Sequence, residues 1–165
     1  MYSEHQSWVQ LYGFWSVAQG KIREQIGEIL GLPLPVKERL ERVWELVDPT
    51  VDCFLFHNSG AARHNRDLWK SSGLTNSGDM HRALSAQPRE PLLLRAGLEE
   101  LTIPTLLLAG LYDRNVGVDH VRDLAQTLPN TRLEVFDQSA HFPDIEETEK
   151  YAEVVQQFIA ESGPQ

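Results

Sequence analysis

Asp113 and His141 are the residues whose types and positions point most directly to chemistry, because carboxylate and imidazole side chains serve as acids and bases in catalysis. Each follows a short apolar run, at residues 105–109 and residues 133–136. Turn residues bound both runs, and a helical segment of about a dozen residues separates them, which is typical of a βαβ unit in a buried parallel sheet. Open α/β sheets place ligands at the carboxyl ends of their strands. The sequence therefore predicts that Asp113 and His141 face one crevice.

Two segments resemble the C-terminal part of the α/β-hydrolase fold. Residues 105–114 read as strand-Gly-x-x-Asp-Arg, and residues 133–143 read as strand-x-x-Ser-Ala-His-Phe-Pro. The likeness extends over roughly residues 101–160, and in that family the acid and the histidine of a Ser-Asp-His triad follow the last two core strands in this chain order. The resemblance implies that Asp113 is the acid and His141 the base of such a triad.

The helical region before these segments resembles the cap, or lid, of the proline-iminopeptidase-like branch of the family. The implied fold class is α/β, with a helical cap in residues 1–90 followed by the C-terminal part of the hydrolase core in residues 91–165, built as a βαβα unit. The implied activity is that of a serine-type peptidase or esterase on a small acyl substrate, either a small molecule or a short peptide. Selectivity in this fold lies in the cap, so the sequence does not name the substrate.

The sequence departs from the family at the nucleophile. No serine fits Gly-x-Ser-x-Gly, and the glycine-rich oxyanion loop is missing as well. Ser59 lacks the preceding glycine and strand, and Ser139 lies in the histidine loop itself. Cys53 has no glycine on either side, so we expect it to be a packing residue. The chain therefore supplies a triad acid and base without a recognisable nucleophile.

Composition excludes several classes of partner. The chain has 165 residues, the length of one domain, and a formal net charge of -9, which argues against nucleic-acid and anionic-membrane surfaces. A single cysteine, with no signal peptide or apolar span, favours a soluble cytoplasmic protein. His57 and His64 would be about 10 Å apart along a helix, too far to share a metal, so we expect neither metal nor cofactor.

The first half of the chain predicts helices throughout. We expect one long helix over residues 5–30, a second from Pro35 to Val47 and an apolar run over residues 51–56. A turn or helix cap formed by Asn58, Ser59 and Gly60 precedes a third helix over residues 61–70. A fourth helix over about residues 76–85 and a linker over residues 87–91 complete this half. The inward face of the first helix is predicted to carry Trp8, Leu11, Tyr12, Trp15, Ala18, Ile22, Ile26 and Ile29.

Two further helices flank the second predicted strand. The helix between the strands covers about residues 118–128, with His120 facing outward. The last helix runs from Thr148 to about Ala160, with acidic residues at its start where the helix dipole favours them. Its inward face is predicted to carry Tyr151, Val154, Val155, Phe158 and Ile159.

Two parallel strands are too few for a stable sheet, and this leaves the function open between three classes. In the first, an N-terminal hydrolase half completes an enzyme, and that half or a second copy of the chain covers the strand edge. In the second, the chain is a non-catalytic, hydrolase-like binding or interaction protein. In the third, it is a nucleotide-binding βαβ protein that uses residues 109–111 as a phosphate loop, which a single glycine supports poorly.

Overall fold

The structure, a computed structural model, describes residues 4–47, 50–73 and 95–162, without the side chains of residues 95 and 96. In these described residues, helices come first, and two strands with a helix between them and helices after them follow. In chain order the elements are α1 (Glu4–Val17), α2 (Gly20–Leu30), α3 (Val36–Leu46), α4 (Val51–Leu55), α5 (Ser59–Ser71), α6 (Arg95–Leu98), β1 (Thr105–Gly110), α7 (Val118–Thr127), β2 (Thr131–Phe136), α8 (Pro143–Glu146) and α9 (Thr148–Ser162). The predicted helix over residues 76–85, the linker over residues 87–91 and the proposed boundary between residues 90 and 91 lie outside the described residues.

The main hydrophobic core lies between the first four helices. Phe14 of α1 stacks on Phe54 of α4 with ring centroids 3.8 Å apart, and Trp44 of α3 meets Phe14 edge to face. Such aromatic pairs add about 0.5–1.5 kcal/mol each to the free energy of area burial. The buried apolar residues of this core are Leu11, Phe14, Ala18, Ile26, Val36, Leu40, Val43, Val47 and Phe54.

The prediction of one long helix over residues 5–30 is wrong. The helix is interrupted between the end of α1 and the start of α2, where Gly20 adopts a φ of +54°. The predicted inward face is confirmed at Leu11, Ala18 and Ile26, which are buried, and it is wrong at Tyr12 and Trp15. Tyr12 is 57% exposed and Trp15 is 38% exposed, whereas Ser7, Gln10 and Phe14 are fully buried. The buried face of α1 is displaced by one residue from the predicted face, which corresponds to a rotation of about 100° around the helix axis. Contacts of α1 with the loop after β1 override its apolar periodicity.

Gly13 shows how closely α1 approaches that loop. A Cβ on Gly13 would lie 2.7 Å from Cβ of Arg114 and 3.1 Å from the Arg114 carbonyl oxygen. Such distances are shorter than ordinary van der Waals contact, so a side chain here would push the helix away. The absence of a side chain at Gly13 therefore allows α1 to pack closely against the segment that follows Asp113.

The segment from Val51 to Ser71 is helical apart from a short bend. Residues 51–55 of the predicted apolar run form a turn of helix. Cys53 is exposed there, so its expected packing role is wrong. The side chain of Asn58 caps α5 by accepting the backbone N–H groups of Gly60 at 2.7 Å and Ala61 at 3.1 Å. The capping prediction for Asn58 is confirmed.

The predicted βαβ unit is confirmed. Strands β1 and β2 pair in parallel, with Thr105 opposite Thr131 and Gly110 opposite Phe136, and α7 packs on both strands. The strands are only half-buried over most of their length, so the expected burial on both faces is not reached within the described residues. Ile159 of α9, predicted to face inward, is 63% exposed. The layers that would cover a larger sheet are absent from the described part of the chain.

Gly110 lies where the carboxyl end of β1 passes under the loop that carries His141. A Cβ at this position would overlap the Ala140 carbonyl oxygen and lie 2.6 Å from the Ser139 carbonyl oxygen. The N–H of Tyr112 donates to the same Ser139 oxygen at 3.0 Å, which joins the two loops. The N–H groups of Leu111 and Tyr112 already donate to the carbonyl oxygens of Phe136 and Ser139, which argues against the hypothesis of a phosphate loop here.

No helix within the described ranges is long and apolar enough to cross a membrane.

Candidate active site

Asp113 and His141 meet at the carboxyl edge of the two-stranded sheet, as the sequence predicts. Asp113 follows β1 and His141 follows β2, and Oδ2 of Asp113 lies 3.1 Å from Nδ1 of His141. The carboxylate side chain is 9% exposed and the imidazole 26% exposed, so solvent reaches the histidine more readily. A buried carboxylate on one imidazole nitrogen leaves the other nitrogen for proton transfer.

Backbone N–H groups fix the other oxygen of Asp113. Oδ1 accepts the N–H of Asn115 at 2.7 Å and that of Val116 at 3.2 Å, so the loop after β1 folds around its own carboxylate. Burial by itself raises the pKa of Asp113, but the hydrogen bond and positive charge of His141 and these two N–H donors together lower that pKa below 3.8. Asp113 is therefore an anion at neutral pH.

The lowered pKa of Asp113 predicts how the stability of the protein depends on pH. A carboxylate whose pKa is lower in the folded chain stabilises the fold above its unfolded pKa of 3.8, and that contribution is lost as pH falls through the folded pKa. Urea unfolding of the parent chain and the Asp113→Asn variant from pH 5 to pH 2.5 measures it. The difference in unfolding free energy should shrink in acid, and a constant difference would contradict the assignment.

Backbone contacts with the helical region hold the loop of His141. The N–H of His141 donates to the Leu55 carbonyl oxygen at 2.9 Å, at the end of α4. Next to this contact the ring of His57 stacks on Tyr112, with centroids 3.9 Å apart and an angle of 5° between the planes. The base is thus attached to both the sheet and the segment between α4 and α5.

Glu146 joins the same two parts of the chain. Its Oε1 accepts the N–H groups of His57 at 2.8 Å and Asn58 at 2.6 Å, and its Oε2 accepts the N–H of Ala140 at 2.7 Å. The neighbouring Glu147 accepts the N–H of Gln138 at 3.0 Å. Charge-assisted bonds of this kind are roughly twice as strong as neutral ones. Two adjacent carboxylates thus fix the backbone just before His141.

We expect Glu146→Gln to lower the free energy of unfolding by about 1–2 kcal/mol, because an amide has one acceptor oxygen for three N–H donors. Urea unfolding at pH 7 measures this effect. Glu153→Gln is the matched control, since Glu153 is exposed on α9. Equal stability of the two variants would show that the three contacts of Glu146 contribute nothing.

The second ring nitrogen of His141 faces a side chain that the sequence analysis did not identify. Nδ2 of Asn115 lies 3.1 Å from Nε2 of His141, and Oδ1 of Asn115 accepts from Nε2 of Gln10 at 2.7 Å. Oε1 of Gln10 accepts from the indole N–H of Trp44 at 3.3 Å. The sequence signal for Gln10 is a polar residue on the buried face of a helix. This signal can be used only when the buried face of α1 is known, and the apolar pattern did not give that face correctly.

Of the two serines considered as nucleophiles, one is buried and the other begins a helix. Ser139 is fully buried, and its hydroxyl donates to Oε2 of Glu147 at 2.5 Å. Ser59 begins α5, directly after the capping Asn58. Across residues 4–47, 50–73 and 95–162, no group of three or more His, Cys, Asp or Glu side chains is placed to hold a metal ion.

Comparison with known proteins supports the fold. No protein-family model matches the chain. It is 40% identical over 58 residues to 2-hydroxymuconate semialdehyde hydrolase from Pseudomonas putida, covering 35% of this chain and 21% of the relative. It is 37% identical over 62 residues to proline iminopeptidase from Saccharolobus solfataricus, covering 38% and 20% respectively. The chain thus spans about a fifth of the length of these relatives.

A solved structure also supports the fold. An esterase from Exiguobacterium antarcticum superposes with a TM-score of 0.52 at 22% identity, covering 67% of this chain and 40% of the esterase. This likeness concerns the fold, and it fits a helical region followed by a parallel βαβ unit. The chain has part of an α/β-hydrolase fold, and the proteins to which it is similar in sequence include a hydrolase and an iminopeptidase.

Proposed function

We propose that this chain provides the acid and the base of a serine-type hydrolase that acts on an ester or peptide bond of a small acyl substrate. The observation that carries the proposal is the 3.1 Å contact between Oδ2 of Asp113 and Nδ1 of His141 at the carboxyl edge of a parallel sheet. The relatives include a hydrolase and an iminopeptidase, and one structural neighbour is an esterase. A proline-iminopeptidase-like branch and a cytoplasmic location are further parts of the proposal.

In the proposed reaction His141 accepts a proton on Nε2 as a serine hydroxyl attacks the acyl carbon. The imidazolium that forms then protonates the leaving group, and in the second half of the reaction His141 activates water in the same way. Asp113 keeps the Nδ1 proton of His141 in place and stabilises the imidazolium. The Asn115 and Val116 N–H groups keep the carboxylate ionised while it does so.

The nucleophile and the oxyanion donors are proposed to come from a segment outside this sequence. Ser139 is buried against Glu147, and the sequence contains no Gly-x-Ser-x-Gly. An N-terminal hydrolase half would bring both groups and would also extend the short sheet along its edge. A second copy of the chain would cover the strand edge without adding a serine elbow.

Labelling by a fluorophosphonate, with hydrolysis of p-nitrophenyl acetate and proline β-naphthylamide, tests the proposal. The chain is assayed alone and mixed with an upstream-encoded segment that bears Gly-x-Ser-x-Gly. We expect labelling and turnover in the mixture only. Labelling of the chain alone would identify a nucleophile within it, and silence of a well-folded mixture would refute the catalytic role.

A non-catalytic, hydrolase-like binding protein is the second candidate function. The observation that favours it is the Asn115 amide on Nε2 of His141, the atom that a catalytic serine would need. In that case the helical region binds a ligand, and His141→Ala leaves ligand affinity intact.

A further inference from the structure

We propose that Asn115, held by Gln10 of α1, is a positioning residue that keeps Nε2 of His141 free of a proton and occupies the place of the nucleophile's hydroxyl until a serine arrives. The use of this arrangement in catalysis rests on the proposed function. The arrangement itself follows from hydrogen-bond donors and acceptors in the described residues, and it can be measured on the chain without any activity.

The indole of Trp44 begins a series of contacts in which each group has one allowed orientation. An indole N–H can only donate, so the Gln10 atom that faces it at 3.3 Å must be the oxygen. The amide nitrogen of Gln10 then faces Asn115, where it donates to Oδ1 at 2.7 Å and approaches the backbone oxygen at 3.3 Å. Two independent partners therefore fix the orientation of the Gln10 amide.

The same reasoning fixes Asn115 and then His141. Because Oδ1 of Asn115 accepts from Gln10, its NH₂ group is the part that faces Nε2 of His141 at 3.1 Å. An amide NH₂ only donates, so Nε2 must be the acceptor and the imidazole proton must be on Nδ1. The carboxylate of Asp113 at Nδ1 requires the same tautomer from the opposite side.

Burial makes this arrangement costly to break. Gln10 is fully buried, and an amide that loses its partners in such a place costs about 1–3 kcal/mol. Gly13, one turn further along α1, allows the close approach that brings Gln10 to Asn115. The helical region thus fixes the orientation of the Asn115 amide that faces the base, although residues 10 and 115 are 105 positions apart.

The consequence for catalysis is a base that is ready before its nucleophile is present. A serine hydroxyl donates to Nε2 just as the Asn115 amide does, so the serine replaces one donor by another and the tautomer of His141 does not change. A group that accepted a hydrogen bond at this place would instead favour a proton on Nε2, and His141 could not act as a base.

Nitrogen NMR of the imidazole tests the inference on the isolated, ¹⁵N-labelled chain at pH 7. We expect an unprotonated Nε2 and a protonated Nδ1 in His141, with a scalar coupling across the hydrogen bond between Nδ2 of Asn115 and Nε2 of His141. A proton on Nε2, or no such coupling in the folded chain, would overturn the inference. His141→Gln assigns the signals.

Two variants test the individual contacts. Asn115→Asp places an acceptor on Nε2, so a proton is expected there; Asn130→Asp is the matched control, because the Asn130 amide bonds the Thr102 carbonyl oxygen far from His141. Gln10→Met should remove the Asn115–His141 coupling while Nδ1 keeps its proton. An unchanged Nε2 in Asn115→Asp, or a retained coupling in Gln10→Met, would refute the positioning role.

The tautomer experiment separates this inference from the proposed function. If the serine-bearing mixture proves inactive while the tautomer and coupling are as expected, the inference stands and the hydrolase proposal fails. If the mixture is active, Asn115→Asp should lower kcat by about 10²-fold with little change in KM, because it removes the general base and leaves substrate binding. An unchanged kcat would then exclude Asn115 from catalysis.

Discussion

Replacing His141 by alanine should lower the kcat of the assembled hydrolase by a factor on the order of 10⁶, because loss of the base disables the serine and leaves only the rest of the site. Asp113→Asn should cost a factor of about 10⁴, since the imidazole survives but is held in the wrong tautomer. Turnover of p-nitrophenyl acetate and the rate of fluorophosphonate labelling measure both effects. KM should change little in either variant.

His120→Ala is the matched control for His141→Ala, because His120 is exposed on α7 and should tolerate the change. Loss of the His141 ring also removes the partner of Asp113, so circular dichroism and urea unfolding must show that the variant is folded. A folded His141→Ala protein with normal labelling would contradict the role of His141 as base. That result would favour the second candidate function, a non-catalytic binding protein.

Gly110→Ala should destabilise the fold by about 3 kcal/mol or more, although it adds only one methyl group. The added Cβ would overlap backbone atoms of Ala140 and Ser139, which cannot move aside as a flexible side chain can. The two loops that carry Asp113 and His141 would have to separate. Urea unfolding monitored by tryptophan fluorescence should therefore show a much lower midpoint, with the contact between Asp113 and His141 lost as well.

Gly97→Ala is the control for Gly110→Ala. Gly97 lies in α6, and a Cβ there would meet no atom of the described residues within 4 Å, so alanine should leave stability unchanged or raise it by up to about 1 kcal/mol. If both variants unfold at the same urea concentration, Gly110 is not required for the crossing of the two loops, and the close approach of β1 to the histidine loop is not a constraint on this fold.

The comparison of helix α1 with the βαβ unit shows where sequence reasoning succeeds. The strands, the helix between them and the Asn58 cap were predicted correctly, since turn residues, apolar runs and caps are local signals. In α1 the apolar pattern pointed to Tyr12 and Trp15 as inward residues, but the observed buried face holds Gln10 and Phe14. Aromatic residues lie on several sides of α1, so its apolar periodicity is ambiguous. Packing against the loop that follows Asp113 decides which face of α1 is buried.

The sequence by itself determined that Asp113 and His141 follow two parallel strands and therefore meet at one edge of a sheet. Strand order and chain direction suffice for this conclusion, because the carboxyl ends of parallel strands share an edge. Only the tertiary structure decided what else touches these two residues. Glu146 reaches residues 57 and 58, and Gln10 reaches Asn115 across 105 positions. Such contacts depend on how helices pack and rotate in space, and spacing along the chain carries no signal for them.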